Sequence, residues 1–430
     1  MCVLLSVALA EIFVRIDLAV LLYAQSENLP WLFTMGVDGS RGLLSGIGAA
    51  TFGAAATAFS ITVSVIATAS TSYGPRLVGN FMASRKNQWI LGVLVSTFVY
   101  TTLVVRYLRS DSGDGNTFVP ALSVYFAILL ALADVFLLIA FIQETAESIQ
   151  VEKLAAGASK RFTFAVDEYV AQGDGDGSSD AAQIRRDLIS ETEIPKPPTG
   201  GNVVTAPTAG YVRDVDRDAL LAAAFEDRGV VVTLVRVGDH VVPGAPIARI
   251  NPGTDPEAFS VAVRKAISVG EQHEFSDVVY AQQQVIELAV RALSPGTNDP
   301  YTAITAIDEL SVGMSKAVSR PMQPQVLAGA DEIPRVFLRH VTLRELIDLA
   351  FEQISDAASG EFQVWQALVR LAATIERANI HPELRGYAWA RVERIRGKLE
   401  KNNPGALGLL DGEIERVIDA ELGGQAPMPA

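Results

Sequence analysis

The chain has 430 residues, 49% of them hydrophobic, and a formal net charge of −14, with a mean hydropathy of +0.27. An acidic chain repels phosphates, which argues against a nucleic-acid partner, and a single cysteine, Cys2, excludes a disulfide framework and a thiolate metal site. Length and hydropathy suit two or three domains, with about one third of the chain in lipid and the rest an acidic soluble portion.

Residues 1–24 form an apolar run interrupted by Glu11, Arg15 and Asp17. A signal peptide would need a basic n-region and a small-residue cleavage site, and neither is present. A first membrane helix is expected instead, its start cut short or its charges near the interface. Residues 25–40, with Glu27, Pro30, Trp31 and Asp38, read as an interfacial outer loop. Residues 42–72 then run without a single charge. As a helix this segment extends roughly 46 Å, against a hydrocarbon core of about 30 Å, until Pro75 stops it. Gly46, Gly48, Ala49, Ala50 and Gly53 crowd its first half, and Thr57, Ser60, Ser64, Thr68 and Thr71 recur at spacings of three and four in its second. Small side chains admit close backbones, and hydroxyls bond across helices or line water. The expectation is a helix buried in a bundle.

Residues 73–88 carry Arg76, Arg85 and Lys86 and no acid. A third span is expected at 89–106 and a fourth at 119–142, joined by a loop holding Asp111 and Asp114. Lys and Arg mark the cytoplasmic face. The 73–88 loop therefore faces in, the 25–40 and 107–118 loops face out, and everything beyond the fourth span is cytoplasmic in a multi-pass inner (plasma) membrane protein. Arg106 and Arg109 count against that orientation. Residues 151–199 are expected to be a helical stalk, continuing the fourth span, and an acidic flexible linker around GDGDGSSD.

From residue 202 the hydrophobic period becomes two. Residues 203–205, 210–212, 230–237 and 247–250 read as strands, with Gly238-Asp239 and Pro243-Gly244 as turns. The run VRVGDHVVPGAPIARI resembles the half-barrel of lipoyl and biotinyl carrier modules, the barrel-sandwich hybrid. No lysine lies between Gly200 and Pro252 to take a cofactor, so a structural module over 200–253 is expected, and no cofactor. Helices follow at 256–268, 276–293, 300–319, 343–355, 360–377, 382–401 and 411–422. Their apolar residues recur at three and four, as in a bundle spanning 254–422, and 423–430 is expected to be a disordered tail. The fold class expected is multi-domain: an α-helical polytopic membrane domain over 1–150, a small β barrel-sandwich-like module, and an α-helical cytoplasmic bundle.

Two places invite chemistry. Pro295-Gly296 ends one helix, and Asp299 with Pro300 caps the next. This corner is either a rigid helix–turn–helix joint or a site. In a site, Ser294, Thr297, Asn298 and Asp299, with the N–H groups of Thr302 and Ala303, would hold an anion or small polar ligand. Asp134 lies near the middle of the fourth span, where an ionisable group costs roughly 3 kcal/mol on insertion scales and faces protein or water by default. It would line an ion or proton path beside Ser60, Ser64 or Thr68, or else be a protonated acid bonded to a neighbouring helix. No enzyme constellation is read. His240, His273, His340 and His381 lack metal-ligand spacing, Ser294 has no adjacent base, and no phosphate or dinucleotide loop follows a strand.

The pattern ALSPGTNDPYTA at residues 292–303, with FSITVSVIATASTSYGPRLVGNFM at 59–82 and LGVLVSTFVYTTLVVR at 91–106, resembles a bacterial membrane protein family known as domain of unknown function 2254. The resemblance covers nearly the whole chain and implies several membrane helices followed by a soluble portion, without an assigned activity. Gln143-Glu144 stands where the family pattern often has two histidines after Phe-Ile, so no proton or metal role for such histidines carries over. Two functions are expected to compete. One is an oligomeric channel- or transporter-like conduit in the lipid bilayer with a cytoplasmic regulatory portion. The other is a non-conducting sensor or scaffold that docks a partner protein.

Overall fold

The computed structural model describes residues 1–24, 36–73, 85–109, 118–148, 150–170, 196–274, 276–323, 325–329, 331–358, 361–402 and 404–422. Most of the 25–40, 73–88 and 107–118 loops, the acidic linker, and the 423–430 tail lie outside them. The chain divides into two compact units, Met1–Lys153 and Leu154–Ala430.

The first unit contains α1 (Cys2–Ala24), α2 (Val37–Tyr73), α3 (Arg85–Tyr107) and α4 (Ala121–Ser148). Among the described residues, three stretches are long and apolar enough to cross a membrane: Val37–Thr71, Lys86–Tyr107 and Ala121–Glu147. The first span expected, residues 1–24, is outside that set because Glu11, Arg15 and Asp17 interrupt it. Those charges are occupied instead: Glu11 accepts from Arg15 Nε at 3.0 Å and from the Tyr107 hydroxyl at 2.7 Å. Leu44, Tyr100, Val104 and Ala127 fill the interior between the helices. At Gly48 the helices come too close for a side chain, since a Cβ there would lie 2.8 Å from Thr101 Oγ1.

Expected to be buried, α2 turns only one narrow stripe inward: Ser40, Leu44, Gly48, Thr51, Ala55, Ala58 and Ala69. The spacings are those of one helix face. Its opposite face, including Gly42, Gly46, Gly53, Ser60, Ser64 and Thr68, is exposed in the single chain. Small residues lie all round this helix, so its sequence does not distinguish the face that packs from the face left open.

In the second unit, α5 (Val151–Tyr169) is no extension of α4, which ends at Ser148. Nor is it a free stalk. Ala155, Ala158, Ser159, Phe162, Ala165 and Val166 recur at helical spacing and are buried. Next come β1 (Asn202–Thr205), β2 (Gly210–Val215), α6 (Arg217–Asp227), β3 (Val230–Thr233), β4 (His240–Val241), β5 (Pro246–Asn251), α7 (Pro256–Ala266) and β6 (Ile267–Gly270). The helices α8 (Val278–Ala292) and α9 (Pro300–Val318) precede two late strands, β7 (Val326–Ala328) and β8 (Pro334–Phe337). A helical run closes the unit: α10 (Leu343–Ala357), α11 (Phe362–Ala378), α12 (Tyr387–Asn402) and α13 (Leu407–Leu422).

The β module is larger and more mixed than the half-barrel expected over 200–253. One sheet has the order β1-β5-β3-β8-β7, with β8 parallel to β3; the other has the order β4-β2-β6. Helices α6 and α7 share its core through Leu220, Leu221, Ala224, Phe259 and Val263. The described residues are mostly helical, with this small mixed sheet region and three candidate membrane helices.

Candidate functional site

Asp134 is the midpoint of the Ala121–Glu147 span and is only 3% exposed. Neither carboxyl oxygen has a hydrogen-bond partner among the described residues. The hydroxyl of Thr97 on α3 lies beside it, and Thr97 is itself 1% exposed. That hydroxyl donates to the Val93 carbonyl one turn back, at 3.3 Å. Nearby polar groups on the same inner faces are likewise turned onto their own helices: Thr101 donates to Phe98 O at 2.9 Å and Thr51 to Gly48 O at 3.1 Å. Back-bonding of this kind lets hydroxyls sit in an apolar interior without a partner helix.

Ser60, Ser64 and Thr68 are not part of this site. They are exposed on α2, and Thr68 donates to Ser64 O at 3.0 Å. The structure therefore separates Asp134 from the hydroxyl face that was expected beside it. Thr97 and Thr101 escaped the sequence reading because a threonine in an apolar run gives no sign of the direction it faces.

The buried acid Asp17 also escaped it. Its Oδ1 accepts from Leu122 N at 2.8 Å, and its Oδ2 from Ser123 N at 3.0 Å and Ser123 Oγ at 2.6 Å. The first N–H groups of a helix have no partner within it; here a carboxylate from α1 caps α4 across the bundle. Tyr100, fully buried, donates to Ser123 O at 3.1 Å from the other side. Asp17→Ala is expected to destabilise the membrane unit by about 1–2 kcal/mol, the usual range for a lost cap, with a smaller loss for Asp17→Asn. Thermal unfolding of the detergent-purified protein measures this, and an unchanged Tm for the alanine variant would remove the cap's assigned role.

In the second unit the 294–299 corner is tightly self-bonded. Thr297 N and Asn298 N both donate to Ser294 O, at 3.0 and 2.8 Å, and Asp299 N donates to Ala292 O at 2.8 Å. Asn298 takes the left-handed conformation at φ 45°, which asparagine tolerates better than most residues. Asp299 accepts from Thr302 N at 3.1 Å and from Thr302 Oγ1 at 2.5 Å. Ser294 Oγ donates to Thr297 Oγ1 at 3.3 Å. The Thr302 N–H suggested for an anion is thus already occupied by Asp299, and Ala303 N donates to Asp299 O at 3.4 Å. The corner is built as a joint.

Two of the scattered histidines share Tyr211 as a neighbour. His273 stacks on Tyr280 with centroids 4.2 Å apart and lies tilted against Tyr211 at 3.9 Å, while His240 meets the Tyr211 edge at 5.0 Å. Buried Asp277 holds His273 Nδ1 at 2.7 Å and caps α8 through Tyr280 N at 3.0 Å. A cleft of about 470 Å³ opens elsewhere in this unit, lined among others by Tyr169, Asp216, Arg217, Arg236, Arg339 and His340. Burial pushes the His340 imidazole below its ordinary pKa, and its Nε2 has no hydrogen-bond partner among the described residues. Arg236 is engaged by Glu345 at 2.9 Å.

Comparison with known proteins adds a family. The family described as "Predicted membrane protein (DUF2254)" matches residues 1–374. The chain is similar to uncharacterised proteins of Mycobacterium bovis and Mycobacterium tuberculosis, 27% identical to each over 352 residues. That alignment covers 80% of this chain and 65% of each relative, so the chain spans less than two thirds of the length of the curated relatives it matches. No solved structure matches.

Proposed function

The chain belongs to the DUF2254 family of predicted membrane proteins, and from that premise we propose that it is an oligomeric membrane conduit with a cytoplasmic regulatory unit. One observation carries the proposal: the exposed face of α2, where Ser60, Ser64 and Thr68 follow Gly42, Gly46 and Gly53, glycines at which a side chain would begin in open space. In a lone copy that polar, close-packing surface would face acyl chains. Copies meeting along α2 would cover its glycine half and place its hydroxyls around a shared path. A path inside one copy is disfavoured, because Leu44, Tyr100 and Val104 occupy the middle of the unit. Placement in the inner membrane, with Leu154–Ala430 in the cytoplasm, follows from the basic residues of the 73–88 loop.

Flux through liposomes containing the purified full chain tests this. Ser64→Leu and Thr68→Leu are each expected to cut ion or small-solute leakage at least to roughly a tenth while leaving the assembly state intact, since bulky apolar groups dewet a narrow path. Leakage equal to that of the unaltered protein would end the conduit proposal.

A second reading, a non-conducting sensor or scaffold, is favoured by the second-unit cleft with its three arginines and half-buried His340. It predicts silent liposomes and a small polar ligand or protein partner held by Leu154–Ala430. No catalytic role, cofactor, metal or nucleic acid enters either reading.

A further inference from the structure

We infer that Asp134 is a proton-binding site inside each copy of the membrane unit, occupied by a proton at neutral pH and selective against metal cations. It depends on α4 lying in the bilayer and not on whether the protein conducts.

Hydrogen-bond inventory gives the first reason. A threonine hydroxyl has one hydrogen to donate, and Thr97 gives it to the Val93 carbonyl. What Thr97 still offers the neighbouring carboxyl is a lone pair. An ionised carboxylate also offers only lone pairs and would need donors turned onto it, whereas the neutral acid carries an O–H of its own. No described residue donates a hydrogen bond to the carboxyl, whereas an ionised group at 3% exposure would need several.

The second reason is the absence, among the described residues, of a counter-charge near the middle of the span. The helices packed against α4 are α1, α2 and α3. Their charged residues are Glu11, Arg15 and Asp17 on α1, Asp38 and Arg41 on α2, and Arg85, Lys86 and Arg106 on α3. Those of α2 and α3 stand within five residues of a helix end. On α1, Glu11 and Arg15 pair with each other, and Asp17 is bound to Ser123. Ser123 is 11 residues before Asp134, about 16 Å along a helix. Glu144 and Glu147 of α4 itself lie at its far end. The titratable hydroxyl of Tyr100 is spent on Ser123 O.

The third reason separates a proton from a metal. A hard cation asks for about six oxygens converging on one point. Asp134 and Thr97 supply three, and α3 and α4 run unbroken past this level, with their carbonyls held in the helical ladder. A proton needs a single carboxyl oxygen, which Asp134 supplies.

The test is modification of the full chain in phosphatidylcholine vesicles by dicyclohexylcarbodiimide, which reacts with protonated carboxyls in apolar surroundings, read by peptide mass. Modification at Asp134 is expected at neutral pH, falling roughly tenfold per pH unit once the acid ionises, and unchanged by excess Na⁺. Asp134→Asn should remove that modified peptide alone. Absence of modification at neutral pH, or modification that does not change with pH, overturns the proton site, and protection by Na⁺ replaces it with a cation site. Because labelling requires no flux, a protein that labels but does not leak refutes the conduit and leaves this inference standing.

Discussion

Asp227→Ala is expected to destabilise the second unit by about 3 kcal/mol, since hydrogen bonds to a charged group contribute about 1.5–3 kcal/mol each and several are lost together. Asp227 ends α6, the helix terminus where an acid is disfavoured by the dipole, so its presence calls for another cause. That cause is the turn after β5: Oδ2 accepts from Gly253 N at 2.7 Å, and Oδ1 from Thr254 N at 3.1 Å, Thr254 Oγ1 at 2.8 Å and Asp255 N at 2.7 Å. The turn in turn presents Asp255, which caps α7 through Glu257 N and Ala258 N at 3.1 Å each. One carboxylate therefore fixes the end of one helix and the beginning of the next. Gly253 permits the approach, because a Cβ there would collide with the Asp227 carbonyl oxygen.

The same carboxylate gives the unit an acid limb. Burial alone would raise its pKa, and the hydrogen bonds from Asp255, Gly253 and Thr254 outweigh burial, holding it below the ordinary carboxylate range. A depressed native pKa means the ionised form is bound more strongly by the folded state. Its contribution is therefore complete above the unfolded pKa of about 3.9 and disappears as pH falls through the native value. Denaturant unfolding followed by the fluorescence of Trp365 and Trp389 should show the alanine variant losing less stability than the native chain between pH 5 and 2, a window of roughly that width being set by the two pKa values. A variant within about 0.5 kcal/mol of the native chain at neutral pH, the range of an ordinary surface change, would show that the turn is held by something else.

How much of this could be read in advance depended on the distance over which each feature is decided. Helices are local. The uncharged run 42–72 anticipates Val37–Tyr73, and Asp299-Pro300 marks the start of Pro300–Val318 because cap and first residue are neighbours in sequence. Strand β8, residues Pro334–Phe337, was invisible: four residues between helices acquire their identity from β3, where Val231 pairs with Val336 more than a hundred positions away. Helix α6 was missed because the residues on either side of it alternate and its own apolar face is short. In the membrane unit the existence of Asp134 was legible and its surroundings were not. Which of two small faces of α2 packs, and whether Thr97 or Ser64 turns toward α4, depends on helix rotation, and a helix rich in Gly, Ala, Ser and Thr encodes rotation weakly. Asp17 shows the same limit: a charge in an apolar run signals a partner, but nothing local names the N-terminus of α4 as that partner.

Phe162→Ala is expected to destabilise the second unit by about 4 kcal/mol, as deletion of a fully buried phenylalanine does, although a helix following directly on a membrane span would ordinarily be taken for a connector. Helix α5 lies along α9 in the same direction, as three successive contacts show. Ser159 Oγ donates to Glu309 O at 3.1 Å, the Phe162 ring fills the space above Gly313, and Asp167 receives Lys316 at 2.6 Å and Arg320 at 2.8 Å. The ring and the glycine fit one another, because any Cβ at Gly313 would enter the ring. Gly313→Leu should therefore lose at least about 3 kcal/mol through overpacking. In the pair Phe162→Ala with Gly313→Leu the added side chain occupies the vacated volume, so the loss should be smaller than the sum of the two single losses by more than about 0.5 kcal/mol. The ion pairs at Asp167 are partly exposed and contribute less, within about 1 kcal/mol. Urea titration of the full chain in detergent, read at Trp365 and Trp389, distinguishes the alternatives. A connector would let Phe162→Ala leave the midpoint of second-unit unfolding unchanged, and strict additivity of the pair would deny the contact. A lowered midpoint with a recovering double variant makes α5 part of the folded body it enters.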